Sequence, residues 1–248
     1  MIAIIAILAA ILAPVLVAAK AATKKAVAVQ SGRQLWFATE LYLGDHDDRF
    51  PPAISVVSYG RWQTWFGLSR IDWDWSDMGS NGGWDTSQGW LSPYRSDRAL
   101  RDPSHSALPY LGDMSGFGYN YAYIGSDFQI KKNWHNFPDS KNPARLTELA
   151  NTSNTVVYAT SSFYYPAWAG GDGQVYDFGF IDPPENWQGN PNVDFRHHGS
   201  RKIDPVSKTA ESDGQAVFIF ADGHVRVWPR GRIEPEMFTR DQKNPNDS

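Results

Sequence analysis

Near the C-terminus, His197-His198-Gly199 is followed by Asp222-Gly223-His224. Imidazoles and carboxylates bind zinc-like ions and exchange protons, so convergence of His197, His198, Asp222 and His224 would make a metal or acid–base centre. Their spacing fits no metal motif, and Asp-Gly is a preferred hairpin-turn pair. A turn with histidines hydrogen-bonded across strand ends is the favoured reading. Mid-chain, Asp72, Asp74 and Asp77, with Asn81 and Asp85 beyond, offer hard oxygens to Ca²⁺. Asp77, however, stands where an EF-hand loop requires Gly. Trp62, Trp65, Trp73, Trp75, Trp84 and Trp90 could stack on sugars. They serve equally as core filler or as contacts between subunits, which is the preferred reading. No Ser–His–Asp order, phosphate-binding Gly loop or paired-carboxylate frame stands out. The expectation is a non-enzyme with no cofactor, Ca²⁺ being the one ion its residues invite.

What positions these residues begins with the first nineteen, MIAIIAILAAILAPVLVAA, all apolar and followed by Lys20 and the pair Lys24-Lys25. At 1.5 Å per residue they span about 28 Å, one hydrocarbon thickness. A secretory signal, an ordinary membrane anchor, and a helix that starts in a membrane and later packs against copies of itself all fit this run. The chain beyond favours the third. Lys20 to Leu43 has no Pro and one Gly and is rich in helix formers. Val29, Trp36 and Leu43 recur every seven residues, with Ala22 and Ala26 continuing the stripe upward, as one buried face requires. Gly44 offers a C-terminal cap, while Asp45, Asp47 and Asp48 cap the helix end and solvate it. Pro14 is expected to bend or locally melt the rod.

The remainder is exported-domain material. With 248 residues it is long enough for one sizeable domain beyond the helix. The absence of Cys excludes disulfides, thiolate metal sites and covalent haem. A net charge of −4 and a pI near 5.8 give no reason to expect nucleic-acid binding. Strands are expected at Tyr119 to Ile124 and Thr155 to Ser161, and a short helix at Pro143 to Leu149. A hairpin of Ala216–Phe220 and Val225–Trp228 turns through Asp222-Gly223. The fold class is α+β: a long N-terminal helix packed on a small antiparallel β-sheet with extended loops. Residues 1–43 form the assembly helix, 44–228 the globular domain with a Trp-rich lobe at about 54–95, and 229–248 a polar tail that wraps or frays.

The string IAIIAILAAILAP followed by small and basic residues resembles the N-terminal helix of type IV pilins and of the pseudopilins of type II secretion. The closest likeness is to the large bacterial prepilin-type group that is cleaved and methylated at the N-terminus. In that family the preceding residues read approximately GFTLIELLVV. They include the Phe that becomes methylated and the Glu that neutralises a neighbour's N-terminus. Met1 falls where the family usually has Val, so the expectation is an internal start with that stretch and a short basic leader upstream. His197, His198, Gly199, Asp222, Gly223 and His224 are similar to the group's C-terminal signature, a His-Gly and an Asp-Gly-His, here more widely spaced. Gly118-Tyr119-Asn120-Tyr121 is similar to its Gly-Tyr-Asn strand, and Leu100-Arg101-Asp102-Pro103-Ser104 sits where many relatives have Cys-Pro-Ser.

The resemblance implies a pilin-like fold and a structural subunit of a helical filament, a type IV pilus or pseudopilus. Its partners would be copies of itself, the inner membrane before assembly and an assembly machinery. Its location would be the inner membrane, then an extracellular filament or a periplasmic pseudopilus. The polymerisation core would be Ile2, Ile4, Ile5, Ile7, Leu8, Ala9, Ile11, Leu12, Pro14, Val15 and Leu16. Some pseudopilins carry a calcium site in a C-terminal loop, so the resemblance also allows Ca²⁺ here. A second reading, from a different class, is a monomeric membrane-anchored carbohydrate-binding module that uses the Trp-rich lobe.

Overall fold

The computed structural model describes residues 2–58, 61–69, 84–95, 101–111, 115–131, 142–165, 173–186, 192–204 and 209–247. One helix, α1 (Ile2–Asp45), leads the chain and runs unbroken through Pro14. Its 44 residues make a rod of about 66 Å. Of the two endings the sequence offered, the aspartates close the helix and Gly44 does not. Leu43 C=O accepts from the amides of His46 at 3.2 Å and Asp48 at 3.0 Å. The left-handed residues are Asp47 and Asp48, with φ of 52° and 64°, while Gly44 stays inside the helix. Asp tolerates this region because its short polar side chain bonds locally.

The strands follow in order: β1 (Ile54–Ser58), β2 (Arg61–Thr64), β3 (Leu68–Ser69), β4 (Trp84–Asp85), β5 (Leu108–Leu111), β6 (Phe117–Asn120), β7 (Val156–Thr160), β8 (Phe163–Tyr165), β9 (Gln174–Phe178), β10 (Phe180–Ile181), β11 (Arg201–Asp204), β12 (Thr209–Ser212), β13 (Gln215–Phe220) and β14 (Val225–Pro229). A single turn of helix, α2 (Phe128–Lys131), lies between β6 and β7. The central sheet has the order β10-β6-β7-β13-β14. It is mixed rather than purely antiparallel, because β10 runs parallel to β6 at one edge. Strands β1 to β4 form an antiparallel meander, β5-β9-β8 a small mixed sheet, and β11-β12 a separate hairpin.

The lower half of α1 lies on β13 and β14. Ala28, Ser31, Gly32, Leu35, Trp36, Thr39, Tyr42 and Leu43 are buried at helical spacing. Ala22 and Ala26 are exposed, contrary to the extended stripe. The reason is geometric: the face buried at Ala28, Ser31 and Leu35 continues upward through the half-buried Lys25, Lys24 and Ala21, with Lys25 Nζ donating to Gln215 Oε1 at 3.4 Å, and Ala22 and Ala26 turn away from it. Gly32 permits the close contact, since a Cβ there would sit 3.1 Å from Ile219 Cγ1. Trp62, Trp65, Phe66 and Leu91 join the same core as α1 and the sheet, so the described part of the 54–95 lobe is continuous with the domain.

Strand β6 stops at Asn120, short of the expected end. Asn120 C=O takes the amides of Ile124 and Gly125, which closes a turn. Its buried side chain donates to Val156 O at 3.0 Å and Phe238 O at 2.8 Å, tying β7 to the C-terminal segment. The short helix expected at 143–149 is one 3-10 turn, Leu146–Glu148. The polar tail packs: Met237 and Phe238 are buried. Arg240 donates to the carbonyls of Tyr123, Ser126 and Asn142 at 2.5, 2.8 and 2.9 Å.

The β13–β14 hairpin forms as its sequence requires, but through a three-residue loop. Gly223 N–H donates to Phe220 O at 2.9 Å and Phe220 N–H to His224 O at 3.1 Å. Gly223 has φ of 87°, the left-handed position that follows a type I turn in such loops. It also rests on α1, since a Cβ there would lie 2.3 Å from Trp36 Nε1. Gly223→Ala should therefore cost about 2–4 kcal/mol, combining a left-handed alanine with a clash against a buried indole. Gly44→Ala, with open space around its Cβ, should be neutral or stabilise by up to about 1 kcal/mol. Urea unfolding of the two variants checks the contrast, and equal midpoints would refute it.

Candidate functional site

Three places carry the residues singled out by sequence, and the structure keeps them apart. The first is the upper half of α1. Ile5, Ile7, Leu8, Ile11, Leu12, Val15, Leu16 and Val17 are 55–71 % exposed, on every side of the helix. Ala9 and Pro14 are exposed with them. Ile2 and Ile4 have helical backbone, but their side chains lie outside the described residues. Among the described residues this is the one helix long and apolar enough to cross a membrane. A helix apolar all round belongs in lipid or in the core of a larger body.

The second place is the paired C-terminal signature, and its halves do not converge. His197 bridges to Gln215, where β13 begins, whereas Asp222 follows its last residue, Phe220. The strand separates them by about 17 Å. At the far end, Asp222 Oδ1 accepts from the His224 amide at 3.1 Å and contacts His224 Nδ1 at 2.6 Å, while the imidazole stacks on Phe220. At the near end, His198 is exposed with φ of 55°, and a Cβ on Gly199 would lie 2.2 Å from Gly214 N. Both glycines of the signature thus mark close approaches of backbone to another element. The expected turn is present. Among the described residues no group of three or more metal-ligating side chains gathers.

His197 instead belongs to a buried ionic cluster that sequence reading did not assemble. Its Nε2 is 3.2 Å from Asp102 Oδ2, and both side chains are 0 % exposed. Its Nδ1 is 3.4 Å from Ser104 Oγ. Arg196 lies at the centre: Nε is 3.1 Å from Asp194 Oδ2, Nη1 is 3.7 Å from Asp102 Oδ2, and Nη2 donates to Ser161 O at 2.5 Å and Gly116 O at 3.3 Å. Nη1 also contacts His105 Nδ1. A guanidinium only donates, so that ring nitrogen accepts, and the proton sits on Nε2, 3.3 Å from Asp177 Oδ1. Ser212 Oγ caps Asp194 at 2.8 Å, and Ser31 Oγ of α1 donates to Arg101 O at 3.0 Å beside the cluster.

Asp102, Ser104 and His197 thus include the three residue types of a hydrolase triad. The imidazole and carboxylate are sealed from solvent, and the serine amide is held by Asp102 Oδ1 at 2.8 Å in a local turn. The arrangement fastens the 101–105 loop to the 194–197 loop. Burial alone would raise the Asp102 carboxyl, but the His197 hydrogen bond, the Arg196 charge and the Ser104 amide together hold it below its ordinary range. A carboxyl lowered on folding adds stability above its unfolded value, lost as pH falls through the folded one. Stability should therefore drop below about pH 4, and Asp102→Asn should flatten that acid limb in urea titrations between neutral pH and pH 3. An unchanged limb would count against this pairing.

The third place is the acidic run. Asp72, Asp74 and Asp77 lie outside the described residues, as do Trp73 and Trp75. Asp85 accepts from Ser87 N, Ser87 Oγ and Gln88 Nε2 at 3.1, 2.6 and 2.6 Å, as the cap of a 3-10 turn. Of the described tryptophans, Trp62 and Trp65 are buried and Trp84 and Trp90 half-buried against the core. Trp65 Nε1 donates to Gly179 O at 2.6 Å. A groove of roughly 630 Å³ beside Tyr123, Ile130, Arg240 and Lys243 is lined on one side by the C-terminal segment.

Comparison with known proteins gives no match to a family model, a curated protein or a solved structure. The fold and these three places define an α+β domain carried on a half-exposed apolar helix.

Proposed function

We propose that the chain is a structural subunit of a type IV pilin-like or pseudopilin-like filament, polymerised through the upper half of α1. The observation that carries this reading is the all-round exposure of eight large apolar side chains between Ile5 and Val17. Before assembly that segment is solvated by inner-membrane lipid. On assembly, lipid contacts are exchanged for contacts with the same helix of neighbouring copies. Ala9, Ala10 and Ala13 permit close approach. The contact is heterologous and does not close on itself, so it propagates as a helical polymer. An assembly machinery must lift the subunit from the membrane, because exposing the segment to water is prohibitive. The ionic cluster has the bland role of holding loops against the assembly helix, which fits a non-enzymatic subunit.

Negative-stain electron microscopy of material sheared from cells expressing the chain tests the proposal. Filaments that label with antibody to the domain are the expected result. Dispersed particles alone, at a concentration where the protein is abundant, would overturn it.

A further inference from the structure

Three contacts fix the register of α1 on the sheet. Lys25 meets Gln215, Gly32 packs on Ile219, and Gly223 rests on Trp36. Strand β13 therefore runs alongside α1 from the level of Lys25 to that of Trp36. Strand β14 returns to the Lys25 level, where Pro229 pairs with Gln215. The chain leaves that pair directly into a 3-10 turn, Arg230–Arg232. The β11–β12 hairpin springs from the same end, because His197 bridges Gln215 and Gly199 abuts Gly214. Its first two residues are Arg201 and Lys202. The acids at this end are Asp204 and Glu211 within the hairpin, Asp213, which accepts from Ser200 N and Oγ, and Glu234.

The four cations and four acids of the domain balance where α1 leaves it, so the excess positive charge of this end comes from Lys20, Lys24 and Lys25 of α1. The exposed apolar run stops at Ala19. From Lys20 to Lys25 the helix rises about 7.5 Å, comparable with the headgroup layer of one leaflet, about 5–8 Å. A domain whose lower surface sits at Lys25 therefore rests on the lipid phosphates when the apolar run fills the hydrocarbon. We propose that this end of the domain is a docking surface for anionic phospholipid headgroups, which seats the domain on the membrane that α1 crosses. The inference rests on the anchored state of the proposed subunit and adds the face, the orientation and the lipid chemistry. Each basic side chain at an anionic surface is worth about fivefold in occupancy, and the effect disappears when salt shortens the screening length.

The absence of Cys makes the test direct, since an introduced thiol is the only one. Gly231→Cys places it between the two arginines, where a Cβ meets nothing within 4 Å, and Gly44→Cys places an equally unobstructed one at the far end of α1. Each full-length variant carries a bimane label and is reconstituted in nanodiscs containing nitroxide-headgroup lipid. The discs are of phosphatidylcholine alone or with about a third phosphatidylglycerol. Quenching at position 231 should be at least about twofold stronger in the anionic discs. It should fall to the neutral-disc level at about 0.5 M salt and in the Lys24→Gln, Lys25→Gln, Arg232→Gln background. Position 44 should stay unquenched throughout. Equal quenching at 231 in both lipids, or no response to the three substitutions, overturns the docking surface while leaving the anchor intact. A chain that enters neither disc overturns the anchored reading and the docking surface together.

Discussion

Deletion of residues 2–24 should convert the protein from a membrane-retained species into a soluble, folded monomer that forms no filaments. The expectation follows from where α1 makes contact. Among the described residues no apolar side chain above Lys25 is buried, whereas the buried face starts at Ala28. Removing the upper half therefore removes no core. Thermal unfolding of the truncated domain should stay within a few degrees of the full chain in detergent, a shift corresponding to about 1 kcal/mol or less. The solubility change is of a different size. Eight large apolar side chains held out of water are worth on the order of 12–24 kcal/mol, enough to forbid release of the intact chain. Lipid already supplies most of that, so it explains retention more than growth. A single charge separates the two. Ile11→Lys costs about 3 kcal/mol in the bilayer centre, which a membrane-retained chain survives. In a packed bundle an unpaired cation is repeated in every subunit, so filament yield should fall to background. Filaments from the truncated chain, or normal filament yield from Ile11→Lys, would sink the polymerisation role of this segment.

Much of this architecture could be read in the chain because the signals were local and repeated. The apolar run, the seven-residue recurrence of Val29, Trp36 and Leu43, and the alternation around Asp222-Gly223 each specify one element from neighbouring residues. The errors were also local in kind. Gly44 invited a cap, yet Asp47 and Asp48 took the left-handed positions, and residue type alone does not decide between Gly and Asp there. Ala22 and Ala26 continued a seven-residue pattern, whereas the covered face passes through Ala21, Lys24 and Lys25 instead. The ionic cluster was out of reach for a different reason. Asp102, His105, Asp177, Asp194 and Arg196 come from three separate stretches, and only tertiary folding sets their charges side by side. One signal was present: Arg196 directly precedes His197, and a cation in a segment otherwise bound for the core needs buried carboxylates.

Arg196→Met should be the most damaging single substitution within the domain, lowering stability by about 3–5 kcal/mol. Methionine keeps the volume and removes the charge, so the loss reports electrostatics rather than a cavity. Asp194 and Asp102 would be left in a site where neither has access to water, the Ser161 carbonyl would lose its guanidinium donor, and the Gly116 carbonyl would keep only the Ser161 amide. Gly116, with φ of 79°, has no Cβ because one would lie 2.7 Å from Arg196 Nη1, so the pocket is shaped for the guanidinium. Arg196→Lys keeps the charge but has three donors on a point-like head, too few to serve two carboxylates, two carbonyls and the His105 ring together. It should fall between wild type and Arg196→Met. Adding Asp194→Asn to Arg196→Met should recover part of the loss, since one stranded charge is removed with its partner. Against a total of about 5–15 kcal/mol for an ordinary domain, the single variant approaches the unfolding threshold at growth temperature. Urea midpoints for the three variants decide the matter. A loss under about 1 kcal/mol for Arg196→Met, the value of a solvated ion pair, would mean that water reaches the cluster.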